Sequence, residues 1–404
     1  MNYDFDEIIS RRNTNAMNTD GFREYIFHVG PEAQFAYKDE EFVRMWVADM
    51  EFAVAPEICE AIKERVDKRI FGYTQLKDPQ YFQAVAAWYE KFYDWGFKPE
   101  ELVFSPGIIP ALYELTGDIL KPGEKLLINT PAYGFFKHAA VYAGRELVMS
   151  PLKNDQGNFT IDFEDFEKKA ADPMVKLVLF CNPHNPSGRV WTESELSEVA
   201  RIIRQYDLWV ISDEIHCDLL RQGQKHIPLG KVMPDYDKLI TCMAASKTFN
   251  LAGLMFSHII IRNAELRETF KKHDKTIGFL NPLSVAANQA AYEKGGEWLD
   301  QMKTYLDDNF RFTADFLAEH LPGAVFKIPE ATYLAWVDLR QCLPGVDDLP
   351  LFFANQAGVL LEGGDELFVQ NAKGFIRLNL AMPRKIVQEG LSRIVKAINS
   401  QDSR

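Results

Sequence analysis

Three residues able to do covalent or acid–base chemistry follow one another through the middle of the chain: Asn185, Asp213 and Lys247, 28 and 34 residues apart. Each stands at or just past the end of an apolar run, in VKLVLFCNPHNP, LWVISDE and LITCMAASK respectively. A lone lysine is ordinarily a solvated surface charge. One just past a buried strand is different, because open α/β sheets hold ligands at the carboxyl ends of their strands. Partial desolvation there lowers the amine pKa and frees its lone pair for nucleophilic or Schiff-base chemistry. Taken singly, Asp213 reads first as a helix cap or surface acid, and Asn185, between Pro183 and Pro186, as turn chemistry. In a parallel sheet the three strand ends share one edge, so an amine, a carboxylate and an amide converge on one crevice.

The stretch SPGIIPALY, from Ser105 to Tyr113, adds an anion site. Gly107 lets backbone approach a ligand closely, and the free N–H groups at the start of the following helix attract an anion. A phosphate anchored beside a reactive amine, with an acid to keep a ring nitrogen protonated, is what pyridoxal phosphate requires.

The segments around these residues predict the scaffold. LVF at 102–104 leads into a helix with Leu112, Leu115 and Ile119 on one face. KLLINT and RELVMS read as strands, and VKLVLFC as a strand buried on both faces. In TESELSEVARIIRQYD, Thr192 and Glu195 have capping-box spacing and Leu196, Val199, Ala200 and Ile203 share a face; the strand LWVISDE follows. Repeated strand–helix–strand units imply an α/β fold with a large, doubly wound, mostly parallel sheet. Further on, Leu299, Met302, Leu306 and Phe310 keep helical spacing toward LPG at 321–323, and TYLAWVDL and GFIRLNLA read as shorter strands of a smaller α+β domain. The expected limits are an N-terminal segment 1–47 contributing to the small domain, a large domain 48–284 and a small domain 285–404.

Bulk properties narrow the function. The 404 residues are 47% hydrophobic and 25% charged, ordinary globular composition. A net charge of -13 argues against nonspecific nucleic-acid binding. MNYDFDEIISRR is acidic and lacks an apolar core, unlike a signal or transit peptide, and no apolar run approaches a membrane span. Five scattered cysteines argue against a disulfide framework, so a reducing, cytoplasmic location is expected.

MWVADMEF, GYT, SPGIIPAL, TPAYGFF, LVLFCNPHNPSGRVW, SDEIHCD, SKTFNLAGL, TYLAWVDL and FIRLNLA occur in an order that resembles the pyridoxal-phosphate enzymes of the aspartate aminotransferase fold (fold type I) over nearly the whole chain. The resemblance is to the MalY/PatB subgroup of carbon–sulfur β-lyases, often called cystathionine β-lyases, within the class I/II aminotransferase family. It implies that Lys247 holds the cofactor aldehyde and takes the substrate Cα proton, that Asp213 pairs with the pyridine nitrogen, and that Asn185 bonds the ring oxygen. By the same likeness Tyr133 stacks on the ring, and Gly107, Ile108, Ile109 and Ser246 bind the phosphate. Arg377 binds the substrate α-carboxylate, and Tyr73 reaches the phosphate across a homodimer with shared sites. His216 stands where many aminotransferases have a tyrosine, as in the lyase subgroup. Met255 replaces an arginine common among aminotransferases, and Glu51 and Ala331 depart mildly from the subgroup pattern.

The implied reaction is β-elimination from a cystathionine- or cystine-type amino acid. An aminotransferase shares every step up to the Cα carbanion, and spacing does not separate the two. A metal site built from Cys181, His184, His216 and Cys217 is opposed by geometry, since adjacent residues on a strand point to opposite faces. A regulatory role through protein contact, known in the subgroup, has no residue that marks it here.

Overall fold

The computed structural model describes residues 3–277 and 280–401. Its centre is a seven-stranded sheet. In chain order the strands are β1 (Leu102–Ser105), β2 (Lys125–Thr130), β3 (Glu146–Pro151), β4 (Val175–Cys181), β5 (Trp209–Asp213), β6 (Leu239–Met243) and β7 (Ser257–Ile261). Their spatial order is β1-β7-β6-β5-β4-β2-β3, and β7 alone runs antiparallel to its neighbours.

Helices cover both faces, and the two-residue period of β4 shows how. Leu177, Leu179 and Cys181 share a core with Leu112 and Leu115 of helix α1 (Ile108–Ile119). The alternate residues Val178 and Phe180 share another with Leu196 and Val199 of helix α2 (Glu193–Gln205). The predicted cap sets the start of α2: Thr192 Oγ1 accepts from the Glu195 N–H at 3.2 Å, and Glu195 Oε2 accepts from the Thr192 N–H at 2.8 Å. After β6 the chain turns at once into a single-turn helix, α3 (Ala245–Thr248).

The C-terminal part packs the 25-residue helix α4 (Gly296–His320) and helix α5 (Arg384–Asn399) against a three-stranded antiparallel sheet. That sheet has the order β8 (Leu334–Asp338), β10 (Phe375–Asn379), β9 (Glu362–Gly363). The buried face of α4 carries Leu299, Met302, Leu306 and Phe310, as the spacing predicts, and Pro322 follows its end.

Residues 43–44 pair in parallel with 359–360, so an N-terminal segment lies in the C-terminal layer. From there residues 45–51 cross to the large sheet. Asn379 on β10 donates to the Val47 carbonyl at 2.8 Å, and Asn250, two residues past α3, accepts from the Met50 N–H at 3.0 Å. Among the described residues no helix is long and apolar enough to cross a membrane.

Candidate active site

A cavity of about 280 Å³ lies at the carboxyl ends of β4, β5 and β6. Gly107, Ile108, Ile109, Tyr133, Asn185, Asp213, His216, Ser246, Lys247 and Arg377 all line it. Of the cofactor- and substrate-binding residues implied by the resemblance, Tyr73 alone does not: it is 91% exposed on this chain.

Lys247 stands on α3, and its Nζ donates to the Ala48 carbonyl at 2.6 Å. Burial lowers the amine's pKa, with Asp49 pulling the other way. A buried acid holds α3 in place. Asp218 accepts from Thr248 Oγ1 at 2.7 Å, from Trp88 Nε1 at 3.0 Å and from the Tyr93 hydroxyl. Lys247 is thus fixed through its sequence neighbour.

Asp213 ends β5, in register with Cys181 on one side and Cys242 on the other. Burial pushes its carboxyl up to about 7, against the stabilising Ile215 N–H at 3.2 Å. A cationic ring nitrogen brought to it would restore the carboxylate. Asn185 lies in the turn beyond β4; its Oδ1 accepts from Arg377 Nη1 at 3.3 Å, leaving its amide N–H groups for another partner.

Arg377, on the central strand β10, is 1% exposed. Nη2 bonds the Trp46 carbonyl at 3.3 Å and forms an ion pair with Glu362, the residue opposite on β9. Tyr133 is positioned by a short ladder with residues 368–369, in which it faces Phe368. Its ring centroid is 6.0 Å from the Arg377 guanidinium, and burial raises its hydroxyl to about 12. The buried His216 ring is pushed down to about 3, which keeps it neutral near neutral pH, and its Nδ1 has no hydrogen-bond partner among the described residues.

Helix α1 opens at the cavity wall. Its first intrahelical bond runs from the Ala111 N–H to the Gly107 carbonyl at 3.4 Å, so the amides of Ile108 and Ile109 precede the helical ladder. A side chain at Gly107 would put its Cβ 3.3 Å from Pro110 Cδ, tighter than ordinary contact. These observations fit pyridoxal phosphate. There is an amine for the aldehyde, an acid poised to ionise beside a cation, an orphaned buried ring nitrogen on His216, and helix amides for a phosphate.

Sequence reasoning missed three groups. Glu362 carried a signal, a lone acid after the apolar Gly358–Leu361 run. Tyr333 lay inside a quoted motif without a role; its hydroxyl donates to the Ala48 carbonyl at 2.7 Å. That carbonyl itself has no residue-type signature. Two of the departures noted in the sequence also find their places: Glu51, where the subgroup pattern differs, accepts from Arg11 Nη1 at 2.8 Å and Asn18 Nδ2 at 2.9 Å, and Met255, where many aminotransferases have an arginine, lines the cavity in a left-handed conformation at φ 49°. Among the described residues no cluster of three or more His, Cys, Asp or Glu side chains is arranged to hold a metal; His184 Nδ1 is instead 2.7 Å from Ser187 Oγ.

A doubly wound sheet that presents a lysine, an aspartate and an asparagine at its carboxyl edge is the aspartate aminotransferase architecture, fold type I. The chain belongs to the aminotransferase class I and II family, whose model matches residues 41–394. It is 39% identical over 358 residues to cystathionine beta-lyase PatB of Bacillus subtilis (strain 168), covering 88% of this chain and 92% of that protein. It is 33% identical over 359 residues to protein MalY of Escherichia coli (strain K12), covering 88% and 91%. Among solved structures, the PLP-bound C-S lyase from Staphylococcus hominis superposes with a TM-score of 0.93 at 50% identity, covering 98% of each chain.

Proposed function

We propose that the protein is a pyridoxal-phosphate-dependent carbon–sulfur β-lyase, cleaving a cystathionine- or cystine-type amino acid to a thiol or persulfide, pyruvate and ammonia. The observation that carries this reading is the convergence of Lys247, Asp213, Asn185 and Arg377 on one cavity in a chain half identical to a C-S lyase.

When bound, the cofactor supplies an electron sink for the charge left at the substrate Cα. The chain's own groups do the rest. Lys247 would hold the cofactor aldehyde through Nζ and, with its amine free, would accept the Cα proton; burial lowers the pKa of that amine. Asp213 would hold the ring nitrogen as a carboxylate, and Asn185, whose Oδ1 accepts from Arg377, would donate to the ring oxygen through Nδ2. Tyr133 would hold the ring by stacking. Ser246 and the first amides of α1 would hold the phosphate. Arg377 receives the substrate α-carboxylate. Loss of the Cβ–S bond releases the thiolate, and hydrolysis of the remaining enamine yields pyruvate and ammonia.

The lining favours the lyase over an aminotransferase for dicarboxylates. Lys247 and Arg377 are the only Lys or Arg side chains among the described residues of the wall, so a distal carboxylate meets no second cation from this chain. Ile108, Ile109, Phe136, Ile215 and Phe256 suit a thioether or disulfide instead.

A homodimer with shared sites belongs to the same reading. Ile70, Phe71 and Tyr73 are 75%, 54% and 91% exposed, an apolar run that supports burial against a second copy, with Tyr73 reaching the other phosphate. The division into segment 1–47, large domain 48–284 and small domain 285–404 is supported by the pairing of 43–44 with 359–360, although residues 1–2, 278–279 and 402–404 lie outside the described residues. No disulfide joins the five cysteines, which supports a reducing, cytoplasmic setting, and the -13 charge supports small-molecule rather than nucleic-acid partners.

The test is incubation with L-cystathionine and no keto acid. Pyruvate and thiol in equal amounts, abolished in Lys247→Ala, establish β-elimination. Turnover only on addition of a keto acid would move the assignment to an aminotransferase.

A further inference from the structure

Glu362 is a buried acid to which the reaction outlined above gives no task. It faces Arg377 directly across the β9–β10 ladder, and its side chain is 3% exposed against 1% for the arginine. Arg377 lines the cavity and Glu362 does not, so the guanidinium stands between the acid and the space where substrate binds. The arginine's other partners, Asn185 Oδ1 and the Trp46 carbonyl, are neutral. Its single positive charge is therefore already matched before any substrate arrives.

A docking α-carboxylate brings a second anion to that one cation. Two carboxylates sharing a desolvated site do not both stay ionised. Among the described residues the other cation acting on Glu362 is Lys247. Lys247 is pushed toward neutrality by burial, and Asp49 and Asp213 around it are acids. Tyr25 and Tyr133 are raised by burial and stay protonated, and His216 is neutral. The helix Leu349–Gln356, packed on β9, has no titratable side chain, and the turn Gly364–Leu367 contributes only the exposed Asp365 and Glu366.

We propose that Glu362 takes up a proton from solvent when the substrate α-carboxylate docks on Arg377, so that substrate binding and proton uptake are one event. The proposal rests on the reading of Arg377 as the carboxylate-binding residue. In the free protein Glu362 holds the guanidinium in place as its ion-pair partner. In the complex the protonated acid leaves the full charge of Arg377 to the substrate. Burial already raises the Glu362 pKa, with Arg377 and then Lys247 opposing, so the proton is taken up readily once Arg377 acquires a second anion. Glu362 is thus a positioning residue, acting through Arg377.

The test uses the holoenzyme and 3-(methylthio)propanoate, a thioether carboxylate with no amine, titrated calorimetrically at mildly alkaline pH in buffers of different protonation enthalpy. The expected result is uptake approaching about one proton per site, with affinity falling up to about tenfold per pH unit as pH rises. Glu362→Gln is expected to bind without proton uptake and with pH-independent affinity. Arg377-dependent binding of the natural chain with no proton uptake would overturn the proposal even if the glutamine variant fails to fold, as would equal uptake in both proteins. Unchanged affinity in Arg377→Leu would instead overturn the underlying reading of Arg377.

Discussion

Lys247 and Tyr333 meet at one acceptor: Nζ donates to the Ala48 carbonyl at 2.6 Å and the tyrosine hydroxyl donates to the same oxygen at 2.7 Å. A carbonyl oxygen has two lone pairs, so both bonds form together. When Nζ leaves to do chemistry, Tyr333 keeps the oxygen satisfied and residues 46–49 in place. Tyr333→Phe removes one hydrogen bond worth ~1 kcal/mol, so kcat/KM is expected to fall about fivefold. Steady-state kinetics beside a thermal melt checks this; an unchanged kcat/KM would show that the shared acceptor does not matter to turnover.

Asp213 makes the cofactor-free protein sensitive to pH. Its folded pKa, about 7, lies above the ordinary aspartate value of 3.8, so between those pH values the native state binds the extra proton and stability falls as pH rises. At ~1.4 kcal/mol per unit the loss is at most about 4 kcal/mol. Asp213→Asn carries no such charge, so the apo variant is expected to melt above the natural apoprotein at pH 8 and to converge with it near pH 4. Bound cofactor should erase the difference, because the ring nitrogen then pairs with the carboxylate. Melting curves across pH with and without cofactor decide it.

Asp218 serves three buried donors, Thr248, Trp88 and Tyr93. Asp218→Ala leaves all three unpaired at ~1 kcal/mol or more each, so stability should drop by roughly 3 kcal/mol or more. Asp218→Asn keeps an acceptor oxygen and should lose clearly less. Denaturant midpoints for the two variants provide the comparison, and equal losses would mean that the donors find other partners.

Tyr73 tests the shared site. Tyr73→Ala and Lys247→Ala are each expected to be nearly inactive, yet a mixture unfolded and refolded together should recover about a quarter of natural activity, since random pairing of C2 subunits puts one intact site in half the dimers. No recovery, with dimers present by light scattering, would show that each chain completes its own site.

Local patterns in the sequence determined most of this architecture. Continuous apolar runs marked β4, β5 and β6, the Thr192–Glu195 pair marked the start of α2, and the position of Asn185, Asp213 and Lys247 past strand ends was enough to bring them together, because parallel strands end on one edge. Tertiary structure alone decided what answers these groups. Glu362 and Arg377 are partners through the register of a two-residue strand, which no periodicity marks, and the acceptor for Lys247 is a backbone carbonyl from a segment 199 residues away. Period-2 and helical spacing record which face a residue presents. Which distant segment meets that face depends on packing of the whole chain.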